Sequence, residues 1–322
     1  ALPMGVFAAK KDSTEEKLTK VTLNEVAHSI FYAPQYVAIE EGYFAEKGLD
    51  LTLVTGFGAD KTMTAVISGE ADIGFMGAEA SVYAYQEGAT DPVVNFAQLT
   101  QRAGNFLVAR EEMPDFKWED LKGEKVLGGR KGGMPEMVFE YILKKNGIDP
   151  QKDLTIDQSI DFGSTAAAFT SDDSAAYTVE FEPSATILEK EGAGYVVASL
   201  GEASGYVPYT SYSTKASYMK ENPEIIQKFT DALQKGMDYV QNHTPEEIAE
   251  VIAPQFKETD LETITAIVKR YYDQDTWKEN LIFEKDSFEL LQDILEDAGE
   301  LTDRTAYENL VQTEYAQKAC KN

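Results

Sequence analysis

The sequence has one cysteine, Cys320 near its end, and two histidines, His28 and His243, far apart along the chain. Disulfide frameworks, cysteine–histidine zinc sites and thiol chemistry in the core therefore lack material, and neither a metal nor a cofactor is expected. Cationic side chains are scarce as well: 29 Lys and Arg stand against 56 Asp and Glu, a formal net charge of −27. Such a surface repels a phosphate backbone or an anionic membrane, which excludes nucleic acid as a partner. No run reaches the roughly 18 apolar residues that a membrane-spanning helix needs.

What the chain does have is the composition of a folded protein, with 43% hydrophobic residues, 16 Phe and 17 Tyr. Its 322 residues suit two lobes of ordinary size. The N-terminus, Ala1 to Ala9, is small and apolar, then turns abruptly into a charged stretch from Lys10. Residues 1–19 are expected to be a signal-peptide remnant and tether, with a frayed N-terminal helix as the alternative. Phe7-Ala8-Ala9 resembles the residues that precede the lipid-bearing cysteine of bacterial lipoproteins, but Lys10 stands where that cysteine would be. An extracytoplasmic location follows: secreted, periplasmic or anchored at the cell surface, the only membrane link open to it being a lipid anchor, against which Lys10 in place of the cysteine speaks.

Short apolar runs alternate with helical segments, the pattern of an α/β sheet. Strands are expected at Val21–Val26, Leu51–Val54, Asp72–Phe75, Val93–Leu99, Asn105–Arg110, Lys125–Gly128, Leu154–Gln158, Ala175–Glu180 and Tyr195–Leu200, with one helix over Pro34–Glu46. After Ser213 the pattern turns helical. Asn222-Pro223 opens a helix with Ile226, Phe229, Leu233, Met237 and Val240 at steps of three and four, and Thr244 to Glu247 and Thr259 to Glu262 have capping-box spacing.

The sequence also repeats. Val21 aligns with Val126, Phe57 with Phe162 and Ala71 with Ala176, each pair separated by 105 (126 − 21, 162 − 57, 176 − 71). Both copies carry the same order of elements, so two similar lobes are expected: 20–102 with 208–322, and 103–207. The chain would cross between them at Gln101–Asn105 and Tyr206–Thr210.

Three stretches now carry a resemblance: His28 to Phe44, Lys47 to Leu51, and Ser68-Gly-Glu-Ala-Asp-Ile-Gly-Phe75. They resemble the first lobe of bacterial solute-binding proteins for nitrate, sulfonates, taurine and thiamine-pyrimidine precursors. Asp120 to Val126 and Glu221 to Glu224 are similar to that family's second-lobe entry and late helical segment. The resemblance covers about Val21 to Pro254. It implies a two-lobed periplasmic-binding-protein-like fold of type II, a ligand cleft between the lobes and a helical C-terminal segment. It also implies that the lobes close on a small-molecule ligand and deliver it to the permease subunits of an ABC transporter; the chain itself is expected to be a monomer. Thr170 to Ser174 departs from the family's usual Gly-x-x-Asp-Ala turn.

In open α/β sheets ligands lie beyond the carboxyl ends of the strands, near helix N-termini. That rule selects His28, Phe31, Tyr32, Phe57, Gly58, Gly77, Ala78 and Glu79 in the first lobe. In the second it selects Gly132, Gly133, Met134, Glu180 and Glu182, and the crossings add Gln101, Tyr206 and Tyr209. The Gly128–Pro135 segment reads either as a backbone-amide cradle or as a tight turn. His28 could bond a ligand or tie its loop to a carbonyl. Glu180 or Glu182 could accept two N–H bonds from an amino-substituted heterocycle, or form a salt bridge to Arg102 or Arg130. The tyrosines and phenylalanines could stack on a flat ligand or close the lobes on each other.

The leading expectation is therefore a binding module without chemistry, the substrate-binding component of an ABC importer, with an aminopyrimidine-like thiamine precursor as ligand. A nitrate-, sulfonate- or taurine-type anion is the alternative ligand. An enzyme on the same scaffold is a further reading, since the family resemblance extends to a fungal pyrimidine synthase and a desulfinase, but Cys320 cannot supply a catalytic thiol in the core. A sensor lobe using the same ligand is a third class.

Overall fold

A computed structural model describes residues 17–321; the expected signal remnant lies outside these residues except at its last three positions, and Thr19 already belongs to the first strand. The elements run β1 (Thr19–Glu25), α1 (Ala33–Glu40), α2 (Tyr43–Glu46), β2 (Leu49–Thr55), α3 (Ala59–Ser68), β3 (Ile73–Gly77), α4 (Glu79–Gln86) and β4 (Val93–Gln98). Next come β5 (Phe106–Ala109), β6 (Lys125–Leu127), α5 (Met134–Lys145), β7 (Thr155–Asp157), α6 (Phe162–Ser171), β8 (Tyr177–Glu180), α7 (Ser184–Lys190), β9 (Tyr195–Ser199) and α8 (Leu200–Ser204). The chain then returns through β10 (Thr210–Lys215) into α9 (Ala216–Glu221), α10 (Pro223–Asn242), α11 (Pro245–Ile252), α12 (Leu261–Asp273), α13 (Lys285–Asp297), α14 (Tyr307–Leu310) and α15 (Glu314–Ala319).

Two five-stranded mixed sheets result, ordered β2-β1-β3-β10-β4 and β7-β6-β8-β5-β9. The α/β architecture with a helical C-terminal segment is thus as expected. The repeat is visible in the register: Val21 pairs with Leu51, and the residues 105 positions on, Val126 and Ile156, pair in the same parallel way. Each sheet also contains one antiparallel strand, β10 between β3 and β4, and β5 between β8 and β9. The Thr210–Lys215 strand was not among those expected: Ser, Thr and Lys dominate it, and only its sheet position buries Tyr212 and its neighbours.

The expected Pro34–Glu46 helix is two helices, because Gly42 takes φ +76, a left-handed conformation that ends the first. The long helix α10 buries Ile226, Phe229, Leu233, Met237 and Val240; fully burying such a side chain is worth about 1.5–3 kcal/mol. Gly236 lets it pass close to α1, since a Cβ there would lie 2.3 Å from the Pro34 carbonyl oxygen. The capping box at Thr244 and Glu247 forms as expected. Before α12 the cap is Asp260 instead of Thr259; its carboxylate accepts from the Thr263 N–H at 2.8 Å and anions are favoured at a helix N-terminus.

Candidate functional site

The lobes meet where the carboxyl ends of β1, β3, β6 and β8 face each other. After β1, Ser29 caps a 3₁₀ turn over Ile30–Tyr32, its Oγ accepting from the Phe31 N–H at 3.2 Å and donating to the Glu182 carbonyl at 2.6 Å. That turn drives Phe31 toward the second lobe, where its ring stacks on Phe181 with centroids 5.7 Å apart. Tyr209 meets Phe31 edge-on at 5.5 Å, and Tyr271 lies 5.4 Å away. Gly104, in the outgoing crossing, lies against this ring: a Cβ there would come within 2.5 Å of it.

Other contacts close the cleft. Arg130 reaches Asp60 across the cleft at 2.9 Å and Asp161 in its own lobe at 3.2 Å. Tyr83 Oη donates to the Gly132 carbonyl at 2.7 Å. On the C-terminal side, Lys144 Nζ donates to the Asp297 carbonyl and Ser199 Oγ to the Gln274 side chain, both at 2.7 Å.

Four carboxyl groups at these strand ends are almost fully buried; Glu25 is satisfied by His28, Gln35, Tyr36 and Thr55, and the surroundings of the other three differ. Glu182 is engaged locally: its oxygens accept from the Thr186 N–H at 2.7 Å and the Thr186 hydroxyl at 2.5 Å, and Arg270 lies 3.5 Å away. Burial raises its pKa, and Thr186 and Arg270 pull it back down. The salt-bridge partner is thus Arg270, contributed by the C-terminal segment, where the alternative to a ligand role names Arg102 or Arg130. Arg102 instead donates to the Gly201 carbonyl at 3.0 Å and lies over the Tyr206 ring.

Glu180, at the end of β8, accepts from the Thr178 hydroxyl at 2.6 Å, and Thr165 of α6 also bonds to it. Burial pushes its pKa up to about 7, with the two hydroxyls opposing the shift. Glu79, the first residue of α4, has its Oε1 3.4 Å from the Met134 N–H. Its pKa is pushed up to about 7 by burial, against the backbone N–H groups of Glu79 and Met134. Among the described residues, Glu79 Oε2 has no hydrogen-bond partner, nor has Asn105 Nδ2, although Tyr209 donates to Asn105 Oδ1 at 2.9 Å. Buried polar atoms are nearly always paired, so both mark capacity left over for something else.

The remaining expected residues fall into three groups. Tyr32, Tyr209, Gly77, Ala78, Gly132, Gly133 and Met134 gather around Glu79: its charge acts on both tyrosines, Gly77 and Ala78 lead into α4, and Gly132–Met134 form the start of α5. Phe57 and Gly58 lie at the rim, Phe57 63% exposed and at a left-handed φ of +60. His28, Gln101 and Tyr206 are tied down elsewhere. His28 holds Glu25 through Nδ1 at 2.7 Å and the Gln255 carbonyl through Nε2 at 2.9 Å. Burial alone would lower its pKa, but the hydrogen bond and charge of Glu25 and the Gln255 carbonyl together raise it. Gln101 Nε2 donates to the Asp275 carbonyl and Tyr206 Oη to the Asp275 carboxylate, so both brace the crossings against the C-terminal segment. Phe181 and Asn105 were not singled out from sequence, although Phe181 sits between the two glutamates that were.

The family described as "NMT1/THI5 like" matches residues 30–248. "Putative binding protein YtlA" of Bacillus subtilis is 47% identical over 313 residues, 97% of this chain and 93% of that protein. The riboflavin-binding protein RibY of Chloroflexus aurantiacus is 25% identical, over 71% of this chain and 65% of its own. The 4-amino-5-hydroxymethyl-2-methylpyrimidine phosphate synthase THI11 of Saccharomyces cerevisiae is 24% identical over 65% of this chain and 63% of its own. Among solved structures, the alkanesulfonate-binding protein SsuA of Xanthomonas axonopodis pv. citri superposes with a TM-score of 0.73 at 15% identity, covering 92% of this chain and 99% of that one. The chain belongs to the NMT1/THI5-like family.

Proposed function

We propose that this member of the NMT1/THI5-like family is the substrate-binding component of an ABC importer, and that its two lobes close on a flat nitrogen heterocycle, an aminopyrimidine-like thiamine precursor before others. The observation that carries the reading is the aromatic contact between lobes, Phe31 on Phe181, beside the buried carboxyl of Glu180. Aromatic faces hold a planar ring by offset stacking. Burial pushes the Glu180 pKa up to about 7, so the acid form is accessible at neutral pH, and that form offers one donor and one acceptor side by side. That pair matches the edge formed by a ring nitrogen and its neighbouring amino group. Asn105 Nδ2 supplies one further donor. The names of two relatives point to the same ligand chemistry, one binding riboflavin and the other making a pyrimidine phosphate.

Capture proceeds by hinge motion at the crossings 101–105 and 206–210, the ligand favouring the closed form through contacts to both lobes. No bond to the ligand is made or broken, and the loaded protein docks on the importer's permease subunits outside the cytoplasm. Native mass spectrometry of protein purified from its own host tests the ligand directly. A co-purified aminopyrimidine or related heterocycle, rebinding by calorimetry, supports the reading; a nitrate, sulfonate or taurine in its place overturns the ligand class.

A further inference from the structure

The start of α5 turns the Met134 N–H toward the first lobe, and a carboxyl group of the protein already lies against it. The helix has 12 residues, its cap Gly133 offers no side-chain oxygen, and Gly132 turns the chain at φ +84. Pro135 has no N–H and the Gly133 N–H donates to the Arg130 carbonyl, so the Met134 N–H is the donor turned to the first lobe, at a helix end that attracts negative charge. Glu79 of the first lobe presents Oε1 to the Met134 N–H at 3.4 Å, while its Oε2, on a residue 2% exposed, has no partner among the described residues. Gly77 makes this possible: a Cβ there would lie 2.0 Å from Glu79 Oε2, so only glycine lets the side chain fold back over the strand end. Tyr83, one turn further along α4, fixes the facing loop through the Gly132 carbonyl at 2.7 Å.

We propose, on the basis of the binding-protein reading above, that Glu79 sets the charge class of the ligand by seating the first lobe's own carboxylate at the second lobe's anion position. The closed cleft then admits neutral or cationic solutes, whose N–H groups can use Oε2, and turns away sulfonates and other oxyanions by like-charge repulsion in a desolvated site. The ionisable groups around Glu79 reinforce this: Tyr32, Tyr83 and Tyr209 are held neutral by burial, and Glu300 adds negative charge beyond Tyr83. The nearby guanidinium of Arg130 is engaged by Asp60 and Asp161.

Methanesulfonate, titrated calorimetrically at constant ionic strength, is the probe. Glu79→Ala, which vacates the seat, and Glu79→Gln, which removes only the charge, are each expected to gain at least about tenfold in affinity over the native protein. The native protein itself is expected to bind methanesulfonate more tightly at pH 5.5 than at pH 8.5; Glu180 and Glu136 of α5 also change protonation over this range, so the difference is expected to shrink in Glu79→Gln. Unchanged affinity in the folded variants, or no change between the two pH values, overturns the proposal. Neither result depends on which heterocycle co-purifies, so a failed proposal here is distinct from a failed ligand assignment.

Discussion

Ser29 Oγ donates to the backbone carbonyl of Glu182 at 2.6 Å, a buried hydrogen bond from one lobe to the other made by the same oxygen that caps the turn carrying Phe31. Ser29→Ala leaves both the Glu182 carbonyl and the Phe31 N–H without that partner. Leaving a buried group unpaired costs about 1–3 kcal/mol. Urea denaturation should show a loss of that size, and small-angle scattering a larger radius of gyration as open forms gain population.

Glu180 and Glu182 should separate cleanly. Glu180→Ala, which removes both the donor and the acceptor, is expected to weaken heterocycle binding by about 1–3 kcal/mol, the cost of leaving buried groups unpaired, with a smaller effect on melting. Glu182→Gln, which disturbs the bonds to Thr186 and Arg270, should lower the melting temperature and leave affinity nearly unchanged. Calorimetry and thermal melts on both variants check this, and the reverse pattern would place the ligand on Glu182.

Stability should fall as pH rises. Burial pushes Glu79 and Glu180 up to about 7. Glu136 is pushed up to about 9, first by burial and then by the hydrogen bond and charge of Glu140, with Glu300 adding to the effect. An unfolded glutamate releases its proton near 4.5, so between that pH and these raised values the folded chain binds more protons than the unfolded one. Stability therefore declines with pH across the window. His28, also raised, acts in the same direction above about 6.5. Calorimetric melts should give a higher Tm at pH 5.5 than at pH 8.5, and Glu136→Gln should flatten the upper part of the slope. A Tm that rises toward pH 8.5 would contradict the burial of these carboxyls.

The net charge of −27 gives a kinetic test. Between roughly 10 mM and 500 mM salt the screening length shrinks from about 30 Å to a few Å. Association of a neutral heterocycle should be nearly independent of salt by stopped flow, and that of a cationic one should slow slightly. An on-rate that climbs steeply with salt would identify an anion approaching against the field.

Much of this architecture was legible in the sequence because it rests on local periodicity. The 105-residue offset reappears as matched strand pairing, Val21 with Leu51 and Val126 with Ile156, and apolar steps of three and four located the long helix α10. The strand Thr210–Lys215 escaped because its polar residues are buried by neighbours distant in sequence. The site was legible only to the level of loops. The strand-end rule reached Glu79 and Phe31, but whether a glutamate faces the cleft or caps its own helix depends on Thr186 and Arg270, the latter 88 residues away. Phe181 gave no periodic signal, and Asn105 matters for a single unpaired nitrogen that only three-dimensional placement exposes.

The interleaving of the sheets has a consequence for synthesis. The strands of the second sheet, β5 to β9, are contiguous within Phe106–Ser199, whereas the first sheet needs β10 between β3 and β4. A chain emerging from its N-terminus, at the ribosome or on export, can complete the second lobe's hydrogen-bonded ladder before the first can close its own. Until Lys215 emerges, β3 and β4 each present an unpaired edge in a half-made sheet, the state most open to wrong pairing. The lobe encoded first is thus the last to become whole.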